Sequence, residues 1–171
     1  MQIWSAFYAV IGGAAAGLMR LLFVAVSINA TAILNEAHGT SRRLGEQAFH
    51  NYVVVLLVSL LALVPELTTS EFSLVTLVLT GISTIWMPVR IYFAFTQPHD
   101  GGSRPLVLIR HLFSLIGFAM LIFASVRMAF KLGDSRKLLA ASTVVLLFAA
   151  TRAPWELLLR VARVKHTGVS A

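Results

Sequence analysis

Residues 1–35 read MQIWSAFYAVIGGAAAGLMRLLFVAVSINATAILN and contain a single charged residue, Arg20. A membrane-spanning helix needs roughly 20 mostly apolar residues, and this stretch exceeds that length. The whole chain of 171 residues is similar, because 58% of its residues are hydrophobic and only 12% are charged. A soluble domain of this size could not hide so much apolar surface from water. The sequence therefore predicts an integral membrane protein and excludes a soluble enzyme.

Four further apolar stretches follow, separated by polar or helix-breaking residues at 36–51, 65–71, 96–105 and 131–137. They predict an all-α fold, a polytopic transmembrane helical bundle with about five membrane-spanning helices. The fifth charge-free run is only about two-thirds of a crossing, so a four-helix bundle with this segment in the interface stays open. We expect a single integral membrane domain over residues 1–171, with spans near 4–34, 50–67, 72–95, 106–130 and 138–159.

The chain carries an excess of basic residues, with a formal net charge of +7. In a membrane protein such an excess reflects topology and anionic lipid headgroups rather than nucleic acid. With five spans, nine Lys and Arg residues fall on one side and four on the other. The positive-inside rule then predicts an external N-terminus and a cytoplasmic C-terminus. The basic, amphipathic C-terminal end, 152–166, is expected to contact headgroups through Arg160, Arg163 and Lys165.

One face of the first helix collects small and polar side chains. At about 100° per residue, this face holds Gly13, Gly17, Arg20, Ser27 and Thr31. Gly13 and Gly17 form a Gly-x-x-x-Gly pair, which allows a second helix to approach closely. Ordinary helix packing explains such a stripe, and the functional alternative is a polar pathway or the seam of an oligomer. We predict a closed, symmetric homo-oligomer or a place in a larger membrane complex.

Arg20 is the one charge inside the first span. It lies about 24 Å along the helix from Trp4, at roughly 1.5 Å per residue. An arginine at that depth costs at least about 2.5–3.5 kcal/mol without a partner. Because no acidic residue lies in the middle of a predicted span, the partner would be backbone carbonyls, water, an anion, or a hydroxyl such as Ser83 or Ser114. Alternatively, the helix is shifted outward and Arg20 reaches the cytoplasmic interface.

The third and fourth predicted helices each carry hydroxyl groups on a face that ends near an arginine. Serine and threonine in membrane helices often hydrogen-bond to their own backbone, so packing is the ordinary explanation. The functional alternative is a basic, hydroxyl-lined vestibule in which anions collect. The candidate residues are Thr76, Thr80, Ser83 and Arg90 in the third helix, and Arg110 and Ser114 in the fourth.

The sequence offers little catalytic or metal-binding chemistry. The chain has no cysteine, which excludes disulfides, thiolate metal sites and a cysteine nucleophile. It also lacks the phosphate-binding, zinc-protease and serine-hydrolase motifs. One group in the first polar segment has the side chains to bind a divalent cation: Glu36, His38, Glu46 and His50. Nothing in the sequence fixes their geometry, and we predict no catalytic residue, no cofactor and no metal site.

The segment 13–29, which ends in L-L-F-V-A-V-S-I-N, resembles the first helix of a group of small bacterial integral membrane proteins. In that group an aliphatic helix then ends near L-L-A-L-V-P, and this chain has L-A-L-V-P at 61–65. The resemblance covers the chain up to Pro65. It implies a polytopic bundle of bacterial origin, and hence the bacterial inner membrane, with no established activity. Members of the group usually have a small residue where this chain has Arg20.

A second similarity is to the MAPEG family of glutathione-dependent membrane enzymes. In that family a polar cytoplasmic linker with Arg, Glu and Asn precedes the second helix, and an Arg-x-x-Tyr-like segment ends the third. The residues at the matching places are Arg43, Glu46, His50 and Asn51, with Arg90 and Tyr92. The chain departs from the family in the Arg90-Ile91-Tyr92 spacing and in its fifth helix. The similarity implies a cofactor cavity beside Arg43 and Arg90.

Three functions remain open on this basis. The first is an ion channel or transport pore whose arginines and hydroxyl faces favour anions. The second is a non-catalytic accessory or structural subunit of a larger membrane complex, for which an apolar bundle is enough. The third is a MAPEG-like conjugating enzyme. They differ in what fills the axis and the clefts of the assembly. A pore has a water-filled axis, an accessory subunit has packed side chains or lipid there, and an enzyme has a cofactor cavity.

Overall fold

The computed structural model describes residues 4–31, 40–85, 104–133 and 135–167, with side chains over 4–31, 45–85, 112–133 and 135–151. Five helices run through these residues, and the described part of the chain contains no strand. The predicted all-α helical bundle is confirmed. The helices are α1 (Ser5–Ile28), α2 (Thr40–Leu63), α3 (Thr69–Ile85), α4 (Arg104–Ala129) and α5 (Arg136–Thr167).

Within the described residues, three segments are long and apolar enough to cross a membrane: Ser5–Ile28 in α1, Gly45–Leu63 in α2 and Leu112–Ala129 in α4. The apolar helix α3 is shorter, at 17 residues. These helices fit a membrane protein, as the composition predicts. The third and fifth expected crossings, near 72–95 and 138–159, run past the described side chains, so the count of five spans stays a prediction.

The polar segment 36–51, which separates the first two expected spans, is helical from Thr40 onward. The Arg, Glu and Gln residues that make this segment polar are also good helix formers, and no proline interrupts α2. The 24 residues of α2 extend about 36 Å, which exceeds the roughly 30 Å of a bilayer's hydrocarbon core. Its first turns therefore project beyond the apolar segment Gly45–Leu63.

The helices pack side by side in an order that differs from their order along the chain. α1 packs on α2, α2 on α5, α5 on α4, and α4 on α3. α2, α4 and α5 therefore form the centre, while α1 and α3 lie at the two edges. Only 17% of the apolar window of α1 is buried, against 44% in α2 and 39% in α4. The largest fully buried side chains include Tyr52, Phe72, Phe118, Leu121, Leu139 and Leu146.

Two glycines set close helix contacts in this core. A methyl group at Gly12 of α1 would lie 2.9 Å from Cβ of Ser59 in α2. One at Gly117 of α4 would lie 2.7 Å from Cδ2 of Leu146 in α5. Both distances are too short for a carbon–carbon contact, so a side chain at either position would require Ser59 or Leu146 to move. Small residues at such crossings let helix backbones approach closely.

α1 and α2 run antiparallel. Gly12 near the start of α1 faces Ser59 near the end of α2, and Leu22 farther along α1 packs with Ala48 and Tyr52. The end of α2 and the turn to α3 therefore lie at the end of the bundle where α1 begins. The antiparallel pairing of α1 with α2 therefore shows which residues of the two helices lie at the same level along the bundle.

A reciprocal cap closes the turn between α2 and α3. Glu71 Oε2 accepts hydrogen bonds from the Thr68 backbone N–H at 3.0 Å and from the Thr68 hydroxyl at 2.7 Å. The Glu71 backbone N–H donates in return to Thr68 Oγ1 at 3.3 Å. This exchange is a capping box, which satisfies backbone donors at a helix start. It fixes the residue at which α3 begins.

Candidate interaction face on the first helix

The two faces of α1 have different surroundings. The inner face carries Tyr8, Gly12, Ala15 and Leu22, which are all buried against the bundle. The opposite side carries exposed small residues along the length of the helix, and we call it the α1 outer face. It contains Ala9, Gly13, Ala16, Gly17, Arg20 and Ser27, with Val24 among them, and Thr31 follows the end of α1. The structure thus places on one surface all the candidate residues that the sequence gives for this helix.

The Gly13 and Gly17 pair meets no other helix within the described protomer. A methyl group built at either glycine finds no atom of another helix within 4 Å. The close contact with Ser59 is made instead by Gly12, one residue earlier. The close approach that Gly13 and Gly17 permit is therefore unused inside the protomer and faces outward.

Arg20 is exposed on the α1 outer face and lies within the apolar part of the helix. Eight residues, or about 12 Å along the axis, separate it from Ile28. Large apolar side chains continue beyond it, with Leu21, Phe23, Val24 and Ile28 exposed by 63%, 61%, 49% and 72%. A position of Arg20 at the cytoplasmic interface would leave these side chains in water. Arg20 therefore lies inside the apolar segment Ser5–Ile28, eight residues from its end.

Arg20 has no hydrogen-bond or ion-pair partner within the described residues. Two hydroxyls considered as partners are engaged elsewhere. Ser83 donates to the Leu79 carbonyl at 2.8 Å, and Ser114 accepts from Asn51 at 2.8 Å. The intramolecular alternative for Arg20 is therefore not realised at these two residues. An unpaired charge in hydrocarbon costs about 2.5–3.5 kcal/mol or more, and the described residues do not supply a partner for Arg20.

The hydroxyl face of α3 points into the bundle, at the edge opposite α1. Thr76, Thr80 and Ser83 are all buried. Thr80 Oγ1 donates to the Thr76 carbonyl at 2.6 Å, and Thr84 Oγ1 donates to the Thr80 carbonyl at 2.8 Å. Hydroxyls that bond to their own helix in this way are satisfied without water or an anion. Thr76 Oγ1 is the exception, because it is buried without a hydrogen-bond partner among the described residues.

A buried polar contact joins α2 to α4. Asn51 Nδ2 donates to Ser114 Oγ at 2.8 Å, and Gln47 Nε2 donates to the same oxygen at 3.3 Å. Asn51 and Ser114 are 2% and 1% exposed. Gln47 is not among the residues that the sequence singles out, although its i, i+4 spacing to Asn51 puts both amides on one side of α2. The contact holds α2 against α4 and does not involve Arg20.

Several candidate residues fall outside the described side chains. Among the MAPEG-like positions that are described, Glu46 is exposed and the Asn51 amide is bonded to Ser114. Within the described residues, no three or more His, Asp or Glu side chains come together as a metal site would need, and Glu36 and His38 lie outside this part. The residues whose side chains are not described are Arg43, Arg90, Tyr92, Arg110, Arg160, Arg163 and Lys165.

Comparison of the chain with protein-family models, with curated proteins and with solved structures finds no match. The resemblances to small bacterial membrane proteins and to the MAPEG family therefore stay predictions. What the described residues define is a helical membrane protein whose edge helix turns small residues and one arginine away from the bundle.

Proposed function

We propose that the chain is a structural subunit of a larger membrane assembly and docks there through the α1 outer face. The observation that carries this proposal is the combination of small residues and an unpartnered arginine on a surface that faces away from the bundle. Small side chains favour contact with another helix, because backbones that approach closely gain packing that lipid chains do not supply. Arg20 adds a charge that hydrocarbon cannot satisfy. A second protein helix can meet both needs.

The described interior of the protomer also supports a structural role. The hydroxyls of Thr80 and Ser83 bond to their own helix, and Ser114 is engaged by two amides of α2. The side chains of Phe118 and Leu121 in α4 are at most 1% exposed. A path for solutes would instead require polar groups that line a wet axis. The candidate vestibule residues Thr80, Ser83 and Ser114 are therefore better explained by packing.

The proposal places the assembly in a bacterial inner membrane, with the N-terminus outside and the C-terminus in the cytoplasm. This orientation follows from the distribution of Lys and Arg, and it brings the basic C-terminal end to anionic headgroups. A reporter enzyme fused after Ala171 is expected to be active in the cytoplasm. A reporter that is active only in the periplasm would reverse the orientation.

The docking test compares two glycines that face open space on the two edge helices. Gly17→Leu crowds the α1 outer face, while Gly81→Leu places the same side chain on α3, where a methyl group also meets no other helix within 4 Å. Membranes are extracted directly into polymer nanodiscs, and the mass of the complex that contains the tagged chain is measured. We expect the native chain and G81L in one larger assembly, and G17L as a single chain of 18.6 kDa.

Two results would contradict this proposal. One is a native chain that is already a single protomer in the nanodiscs, and the other is a G17L chain that assembles as the native chain does. Because leucine is a better helix former than glycine, loss of assembly in G17L cannot arise from a weakened α1. An unchanged melting temperature of the solubilised protomer verifies this point.

A second candidate function is an anion-favouring pore at the axis of a homo-oligomer. The observation in its favour is that Arg20, Ser27 and Thr31 share the exposed α1 outer face, so copies that meet there would present polar groups to a common axis. Arg20→Gln keeps hydrogen-bonding capacity and removes the charge. A pore predicts that this variant loses anion preference in liposome flux while its assembly stays intact. No flux through the native protein, or unchanged selectivity in the variant, would exclude the pore.

A further inference from the structure

The charge on the α1 outer face specifies the kind of partner that covers it. We propose that the occupant is a transmembrane helix of a different protein, with an aspartate or glutamate at the depth of Arg20. This inference rests on the proposed docking through the α1 outer face and names the chemistry of the partner. The partner's carboxylate pairs with the guanidinium, and its small residues lie against Gly13 and Gly17.

Lipid headgroups are poorly placed to neutralise Arg20. The apolar surface of α1 continues about 12 Å farther along the axis, as far as Ile28, before the nearer end of the helix is reached. Helix side chains tilt toward the N-terminus of their helix, so the Arg20 side chain leaves the backbone in the direction away from that end. The counter-charge is therefore needed within the hydrocarbon, where ionised side chains pair with one another.

The carboxylates in the described part of this chain do not lie at that depth. Glu66 and Glu71 belong to the turn between α2 and α3, at the end of the bundle where α1 begins. Glu46 lies near the start of α2, toward the opposite end, and already interacts within the protomer. Arg20 lies between these two levels. The described carboxylates therefore do not supply the counter-charge, and the proposed partner helix carries it.

A second copy of this chain is a poor occupant for the same face. Copies that dock through α1 in the same orientation bring their Arg20 side chains toward each other, because Arg20 lies on the face with Gly13 and Gly17. Two like charges at such a separation repel strongly where the dielectric constant is low. A carboxylate on the partner changes this repulsion into attraction. Charge complementarity therefore favours a different protein over a symmetric pair.

The test uses the full chain in phosphatidylcholine vesicles, with designed transmembrane peptides as partners. Each peptide is a Leu/Ala helix with a Gly-x-x-x-Gly pair and one variable residue level with Arg20, which is Glu in one peptide and Gln in its matched control. Resonance energy transfer between labelled chain and peptide measures binding. We expect the native chain to bind the Glu peptide about 10-fold or more tightly than the Gln peptide. The R20Q chain should bind both equally, and the G17L chain should bind both weakly.

Equal binding of the two peptides by the native chain, or binding of neither, would overturn the inference. Energy transfer between labelled copies of the native chain, abolished by Gly17→Leu, would also overturn it, because a second copy would then occupy the face. Each of these results leaves the nanodisc comparison of G17L with G81L unaffected. Failure of the inferred partner chemistry and failure of the proposed docking are therefore distinguishable.

Discussion

α1 and α3 lie at opposite edges of the bundle and both turn one face away from it, but these faces differ in composition. α1 presents a strip of glycine, alanine and serine with one arginine, interrupted by Val24 and flanked by larger residues such as Leu21 and Ile28. Lipid chains suit the α3 surface, whereas a second helix suits the strip on α1. Under the proposed docking, the size and charge of exposed side chains separate a surface that faces lipid from one that meets protein. On α3 the exposed side chains are large and aliphatic: Leu74, Val75, Val78, Ile82 and Ile85.

A similar contrast exists within α1 itself, between adjacent glycines. Gly12 lies against Ser59 with no room for a methyl group, and Gly13 has open space on its side of the helix. A step of one residue turns the side-chain position by about 100°, which moves it from the inner face toward the outer one. α1 therefore has two surfaces for close contact, one used within the protomer and one free of it.

The largest effect of a single substitution is expected at Gly12. Gly12→Leu forces an isobutyl group into space that Ser59 holds, and overpacking of this kind typically costs about 1–3 kcal/mol or more. The melting temperature of the solubilised protomer should fall sharply as α1 separates from α2. Gly13→Leu is the matched control one residue away and should leave that temperature unchanged. Equal melting of the two variants would remove the distinction between the inner and outer faces.

A smaller loss of stability is expected at Ser114. Ser114→Ala removes the oxygen that accepts from Asn51 and Gln47, and a buried amide left without a partner costs about 1–3 kcal/mol. The same change on the α1 outer face, Ser27→Ala, should not alter protomer stability. Denaturant titration of the two solubilised variants measures the difference, and neither variant should lose its assembly in nanodiscs. A Ser114→Ala protein as stable as the native one would show that this contact does not hold α2 to α4.

The smallest effect on stability is expected at Glu71, which lies at the start of α3 and away from the α1 outer face. Hydrogen bonds from Thr68 lower the pKa of the Glu71 carboxyl below its ordinary value. The folded state therefore favours the ionised form, and the resulting stabilisation is present above the ordinary pKa and lost as the pH falls through the lowered one. Glu71→Gln should lower the melting temperature slightly at neutral pH and not at all in strong acid. An equal decrease of the melting temperature at both pH values would contradict this, because the stabilisation would then come from the capping hydrogen bonds and not from the charge of the carboxylate.

The sequence predicts which residues share a helix face but not where that face points. The helical repeat puts Gly13, Gly17 and Arg20 on one side of α1, and Thr76 and Thr80 on one side of α3. The first of these faces points outward and the second points inward. The direction depends on which neighbour each helix packs against, and the packing order of the helices is not their order along the chain. Spacing alone therefore could not separate the interaction face from the packing face.

Two further features were hidden for different physical reasons. The first turns of α2 look like a linker, because composition reports polarity and helix formation does not require apolar residues. Gln47 becomes informative only when Ser114 of α4 is known to lie beside it. The Gly-x-x-x-Gly pair, in contrast, draws attention to Gly13 and Gly17, whereas the glycine used within the protomer is Gly12. Contacts between distant parts of the chain decide the last two of these cases.

The most direct test of the difference between α1 and α3 is site-specific photo-crosslinking in intact membranes. A diazirine amino acid is placed at Ala16 on the α1 outer face or at Val78 on α3, two positions that are both exposed on the protomer. After illumination, gel mobility and mass spectrometry distinguish protein adducts from lipid adducts. The account predicts a protein adduct at position 16, reduced by Gly17→Leu, and lipid adducts alone at position 78. Lipid adducts alone at position 16 would contradict it.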